Sequence, residues 1–207
     1  MEEKDTVLTH PPKLVELGLP PEVLTQIQTY VANPLWEGLS IMAGDGGPEH
    51  TALFYAVLQE FTTLAVRIFI VDQKCPFSLS HPPRVYKPLP ANHTHTEDEV
   101  HTALVDETVL IHKTLTSEES YADTLLEFSR WDPDLIALGD IPDTKTLETV
   151  VKLCQTGHRV LAKMKASSVD DALEGLRALQ VGQIQSVLGP LVLCVTGDTY
   201  ESRVTTH

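Results

Sequence analysis

Short apolar runs alternate along this chain with stretches in which apolar residues recur at helical spacing. Leu39-Ser40-Ile41-Met42-Ala43 is one such run. Ala65-Val66-Arg67-Ile68-Phe69-Ile70-Val71 is a second, rich in branched side chains, and both are predicted as buried strands. Leu135-Ile136-Ala137-Leu138 and Arg159-Val160-Leu161-Ala162 are predicted as two more. Val23, Leu24, Ile27 and Val31 fall on one face of a helix that follows Pro20-Pro21 and stops at Asn33-Pro34. Further helices are predicted over Pro48 to Phe61, with proline suited to the first turn, and over Glu118 to Arg130, capped by Ser117 or Ser120. Thr144 to Gln155, ended by Thr156-Gly157, is another, and Ser168 to Gln180, capped by Ser167 or Ser168, is the last.

Strand and helix in alternation predict an α/β fold with a mostly parallel sheet and helices on its faces. No internal repeat or coiled-coil pattern is present. Residues 1–35 read as a lead-in and helix, 36–195 as the main domain and 196–207 as a tail. Within the domain, Gln73 to about Thr108 holds five prolines and four histidines and reads as an irregular insertion or hairpin arm. Arg84–Lys87 and Thr108–Ile111 are strand candidates inside it.

The 207 residues are 42% hydrophobic, enough for one sizeable core. With 15 basic against 29 acidic residues the net charge is -14, which repels nucleic acid and anionic membrane and favours a protein partner with a basic face. No 18-residue apolar stretch could span a membrane, and the charged start Met1-Glu2-Glu3-Lys4-Asp5 leads into no secretory core. Cys75, Cys154 and Cys194 are scattered and form no CxxC pair, which suits a reduced, cytoplasmic setting and packing roles. His93, His95 and His101 lie among carboxylates and could hold zinc, but the segment reads as an exposed acidic loop, and no metal is expected.

The segment between the first strand and the next helix is Gly44-Asp45-Gly46-Gly47-Pro48-Glu49-His50-Thr51. A phosphate-binding loop occupies this kind of junction. Its glycines expose N–H groups, and a terminal Gly-Lys-Ser/Thr supplies a cation and a magnesium ligand. Here the last glycine is Glu49 and the lysine is His50, and only Thr51 survives of the terminal pair. Pro48 removes an N–H, and Glu49 adds a carboxylate where phosphate charge would gather. An ordinary glycine-rich turn fits these eight residues as well.

Three later segments change the reading. They are Arg130-Trp131-Asp132-Pro133-Asp134 running on to Gly139-Asp140-Ile141-Pro142-Asp143, then Thr156-Gly157-His158-Arg159-Val160-Leu161, then Ala166-Ser167-Ser168-Val169-Asp170-Asp171-Ala172. With Leu53-Phe54-Tyr55-Ala56-Val57-Leu58 after the loop, the chain resembles the secretion and type IV pilus motor ATPases over roughly residues 12 to 195. The resemblance implies a RecA-like P-loop NTPase fold in three layers, hexameric rings, and ATP with magnesium bound between subunits. It also implies a cytoplasmic place, peripheral to the inner membrane through partners, and a motor or platform component as that partner.

Carried over residue by residue, the resemblance yields mostly losses. Gly44 and Gly47 keep loop glycines, the loop lysine maps to His50, and the magnesium-holding threonine maps to Thr51. The Glu-Asp acidic pair is reduced to Val71-Asp72, and the glutamate after the Walker B strand is Asp140, one methylene shorter. The first histidine of the histidine box is kept as His158, and the second is Lys165, with Lys163 replacing a threonine two positions earlier. Lys163 and Lys165 alternate on a strand, point the same way, and could supply compensating charge or simply pair with Glu49, Asp72 or Asp140. Hydrolysis needs charge neutralisation, held Mg²⁺ and a positioned water together, so the losses predict a degenerate ATPase with no nucleotide cofactor. A weak ATPase completed by Lys163, Lys165 or a neighbouring subunit is the alternative, and a module reusing the fold for unrelated binding is a third.

Overall fold

The computed structural model describes residues 10–64, 66–73, 76, 77, 79, 108–116, 119–196 and 199–204. The described elements run α1 (Pro21–Ala32), β1 (Gly38–Gly44), α2 (Pro48–Phe61), β2 (Arg67–Asp72), β3 (Val109–Thr114) and α3 (Tyr121–Ser129). They continue with β4 (Leu135–Leu138), α4 (Thr144–Gln155), β5 (Arg159–Lys165), α5 (Val169–Ala178), α6 (Ile184–Val187), β6 (Leu188–Thr196) and β7 (Thr199–Val204). The strands form one sheet in the order β3-β2-β4-β5-β1-β6-β7. Every pairing is parallel except the β6–β7 hairpin.

Alternation along each central strand divides the core between two faces, because successive side chains leave a strand on opposite sides. Leu39, Ile41 and Ala43 of β1, Phe69 and Val71 of β2, and Val160 and Ala162 of β5 pack under α3, α4, α5 and α6. Met42, Ile68, Ile70, Ala137, Leu161 and Leu193 face the other way, against α1 and α2. The helix α2 is the most deeply embedded: Leu53 to Leu58 and Phe61 are all buried. Phe54 is fully buried, and truncating such a ring to Ala costs about 3–5 kcal/mol.

Helix ends follow local chemistry. Asp143 accepts the Thr146 N–H at 2.7 Å and opens α4, and the Ser168 hydroxyl accepts the Asp171 N–H at 3.0 Å and opens α5. Gly157, at φ +89°, ends the turn after α4 in a conformation that costs a glycine little.

The expected α/β alternation and parallel sheet are present, and the helices over 48–61 and 144–155 have the expected bounds. The helices expected to run to Arg130 and Gln180 stop at Ser129 and Ala178, and four further readings differ. The candidate strand at Thr108–Ile111 is β3, and it does not belong to an insertion: it pairs in parallel with β2, Phe69 opposite Ile111, and forms the sheet edge. The expected tail holds β7, whose Tyr200 pairs with Val195. The lead-in helix α1 is not separate, since Ile27 and Tyr30 sit in the same core as α2. The strand expected to stop at Ala162 continues to Lys165, because β1 beside it offers partners as far as Gly44. Arg84–Lys87, Cys75, His93, His95, His101 and Ser117 lie outside the described residues, and Ser120 precedes α3 without a side-chain cap bond. Cys154 and Cys194 are free and buried, and burial pushes their thiols up to about 12 and about 11. Trp36 packs on the core edge, whereas Trp131 is largely exposed with its ring against Phe69. Among the described residues no helix is long and apolar enough to cross a membrane.

Candidate functional site

Four parallel strands end at one edge of the sheet, the edge where open α/β sheets hold ligands. In register, Gly44 lies beside Lys165, Met42 beside Lys163, and Leu138 of β4 beside Ala162 of β5. Strand β5 therefore stands between the loop strand and the strand carrying Gly139-Asp140. Its terminal lysines project into the space those two strands border. A cavity of about 450 Å³ opens there, lined by Gly46, Gly47, Thr51, Asp72, Asp140 and Lys163 together with Phe77 and Tyr121. A smaller one of about 200 Å³ adjoins it at Gly46, His50, Asp140, Lys163 and Lys165.

Gly46, Gly47 and Thr51 line the larger cavity, but His50, at the cation position, does not turn toward it as a phosphate site requires. His50 is 1% exposed, and its Nε2 lies 2.8 Å from the Met42 carbonyl. A carbonyl only accepts, so Nε2 carries the proton and Nδ1 is left buried with no partner among the described residues. The ring occupies the space over Gly44, where an added Cβ would come within 2.6 Å of it. Burial holds the His50 pKa below its ordinary value; the Met42 contact opposes this, while the nearby Lys163 charge adds to it. Asp45 takes a loop donor: its carboxylate accepts the Gly47 N–H at 2.7 Å. Glu49, expected to crowd the phosphate position, is exposed and does not line the cavity. The carboxylates that do line it are Asp72 and Asp140.

Lys163 is the cation of the site. Its ammonium lies 3.5 Å from the Asp72 carboxylate, with both side chains largely buried, and 5.5 Å from the centre of the Phe54 ring. Tyr55 donates to the same carboxylate at 3.3 Å. Asp140 sits at the rim and accepts from the Ile141 N–H at 2.8 Å. Partial burial raises its pKa, against the pull of that hydrogen bond and of Lys163. Lys165 is exposed, and its stem lies across Gly46, where an added Cβ would meet the Lys165 Cε at 2.6 Å. The flexible stem could move aside, so it is the φ of +81° at Gly46 that favours glycine there.

The fold thus gathers Gly44, Gly47, His50, Thr51, Asp72, Asp140, Lys163 and Lys165 at one edge. His158 is not among them. It precedes β5 at the opposite edge, where its Nδ1 lies 3.0 Å from the Thr156 hydroxyl and 3.1 Å from the Leu153 carbonyl, closing the end of α4. Asp45, Gly46, Phe77 and Tyr121 belong to the site though the sequence reading does not single them out, and Tyr55 supports it through Asp72. Asp45 has a local signal, since an aspartate two positions before a glycine N–H forms a side-chain turn. The tyrosines have none, because they come from two helices: Tyr121 lines the cavity, and Tyr55 reaches the Asp72 carboxylate.

The family described as type II/IV secretion system protein matches residues 6–195 of the chain. The protein transport protein HofB homolog of Escherichia coli K12 is 24% identical over 191 residues, 92% of this chain and 35% of the relative. The type II secretion system protein HxcR of Pseudomonas aeruginosa is 24% identical over 195 residues, 94% of this chain and 35% of the relative. The chain spans about a third of the length of these curated relatives. Among solved structures, the pilus retraction motor PilT with bound ADP aligns at a TM-score of 0.70 and 18% identity, covering 95% of this chain and 54% of PilT. The Legionella pneumophila ATPase DotB aligns at 0.67 and 18%, covering 90% of this chain and 46% of DotB. These likenesses bear out the RecA-like P-loop NTPase architecture.

Proposed function

The chain belongs to the type II/IV secretion system protein family, and on that premise we propose that it is a non-hydrolysing member. It serves as a structural or regulatory domain that docks on an active motor or platform component, in the cytoplasm and peripheral to the inner membrane through that partner. One observation carries this reading: the residue at the loop's cation position, His50, is buried, uncharged and bonded to the backbone of the preceding strand, β1. A γ-phosphate leaving in the transition state needs a full positive charge at that point, and a neutral ring turned into the sheet supplies none. Asp45 on the Gly47 amide supports the same reading, because it occupies with protein a donor that phosphate would use. Calorimetric titration with ATP·Mg tests it, and binding at micromolar affinity with steady phosphate release would sink it.

A second reading is favoured by Lys163. Its ammonium lines the cavity beside Thr51, so nucleotide could be held by a cation arriving from β5 and not from the loop. For that, Lys163 must leave Asp72 or share its charge. The discriminating comparison is nucleotide affinity in Lys163→Met and phosphate release in Asp140→Asn. Affinity lost in the first and turnover lost in the second would establish a weak ATPase with a relocated cation.

A further inference from the structure

At the edge of the sheet opposite the loop lies a second cavity, of about 410 Å³, within the range of small-molecule sites. Val31, Trp36, Phe61, Leu64 and Leu135 supply apolar walls, and Arg159 lies among them. Arg159 is 7% exposed. Its guanidinium lies 4.0 Å from the centre of the Tyr30 ring and 4.7 Å from that of Phe61. One terminal nitrogen donates to the Asn33 carbonyl at 3.1 Å and the other to the Tyr30 carbonyl, closing the end of α1. These bonds use part of a group with five N–H donors, and Nε is buried without an acceptor among the described residues. No carboxylate among the described residues pairs with it. A buried positive charge facing apolar walls without a counter-charge is costly unless an anion arrives.

We propose that this cavity binds a monocarboxylate with a compact apolar body. The carboxylate meets the Arg159 guanidinium, which suits that planar anion, and the body lies against Trp36, Phe61 and Leu64. The mouth sets the charge of the ligand. Glu37, Asp132 and Asp134 line it, and Arg67 offsets only part of this, bonding Asp132 at 3.1 Å and Asp134 at 3.3 Å. A second negative charge on the ligand would meet these carboxylates, so dianions and polyphosphates are disfavoured. The ligand is either a free small acid or the carboxylate end of a partner chain.

The chain has two tryptophans, so Trp131→Phe leaves Trp36 as a reporter in the cavity wall. Phenylacetate and hexanoate are titrated against it, alongside phenylacetamide, succinate, and a short peptide ending in phenylalanine with either a free or an amidated carboxyl. The expected result is a saturable Trp36 response to a monocarboxylate, about tenfold weaker for the amide and for succinate, and absent in Arg159→Met. A response to the free acids assigns a small-molecule site, and one confined to the free-carboxyl peptide assigns a chain end. If Arg159→Met does not fold by circular dichroism, Leu64→Phe, which narrows the cavity and leaves the guanidinium in place, must weaken binding by a similar factor. No saturable response to any carboxylate, equal affinity for acid and amide, or a response undiminished in the cavity variant overturns the proposal.

Discussion

The Lys163 ammonium reaches the Asp72 carboxylate, 3.5 Å away, across the bare backbone of Gly139. The two residues lie on strands that are not neighbours, since β4 lies between β2 and β5. The pair has room because the residue that follows β4, Gly139, has no side chain: a Cβ there would stand 2.1 Å from the Asp72 carboxyl carbon.

Breaking that pair from one side is expected to be costly. Lys163→Met leaves the buried Asp72 carboxylate without the Lys163 charge and should destabilise the fold by about 3 kcal/mol. Asp72→Asn combined with Lys163→Met should cost less than the sum of the single changes. Urea unfolding of the four proteins reads the coupling directly.

Gly139→Ala should act through the same pair. An added Cβ would stand 2.1 Å from the Asp72 carboxyl carbon, so the carboxylate must move away from Lys163. A loss of about 1–3 kcal/mol is expected, as for overpacking elsewhere. In an Asp72→Ala background the same substitution should cost little, and thermal unfolding of both pairs decides.

His50 makes stability depend on pH in one direction. Its folded-state pKa lies below the ordinary 6.5, so on acidification the unfolded chain takes the proton first. Its contribution is fully present above 6.5 and is lost as pH falls from there toward the lowered folded value. His50→Gln can keep a donor for the Met42 carbonyl without titrating, so its melting temperature should fall less than that of the natural chain between neutral and acidic pH. His112 is shifted the same way, chiefly by burial, but is present in both proteins, so the difference between the two melting curves belongs to His50.

The loop can be asked to bind phosphate again. Asp45→Ala frees the Gly47 amide, and Glu49→Gly with His50→Lys restores the missing glycine and cation. The triple variant should show a heat of ATP·Mg binding that the natural chain lacks. Equal binding by both proteins would mean that Lys163 already holds the nucleotide.

Much of the architecture follows from local pattern. The spacing of apolar residues marks α2 and α4 to the residue, since Pro48 starts one and Asp143 and Gly157 bracket the other. The period of two in Arg159-Val160-Leu161-Ala162-Lys163-Met164-Lys165 puts Arg159, Lys163 and Lys165 on one face of one strand. The losses at Glu49 and His50 are likewise properties of the chain itself.

Other features belong to the assembled sheet alone. Strand β3 reads as part of an insertion and β7 as a tail because each gains its hydrogen bonds only from a strand of the assembled sheet, β2 and β6. Sequence also could not show that His50 turns inward to Met42, that Asp45 takes the loop amide, or that Glu49 stays in solvent. Those outcomes depend on which acceptors and which empty volumes lie nearby once the strands of the sheet are aligned. Composition and periodicity determine which residues share a face; only tertiary packing decides which charge stands beside which, because that requires strands remote in sequence to be brought within a few ångströms.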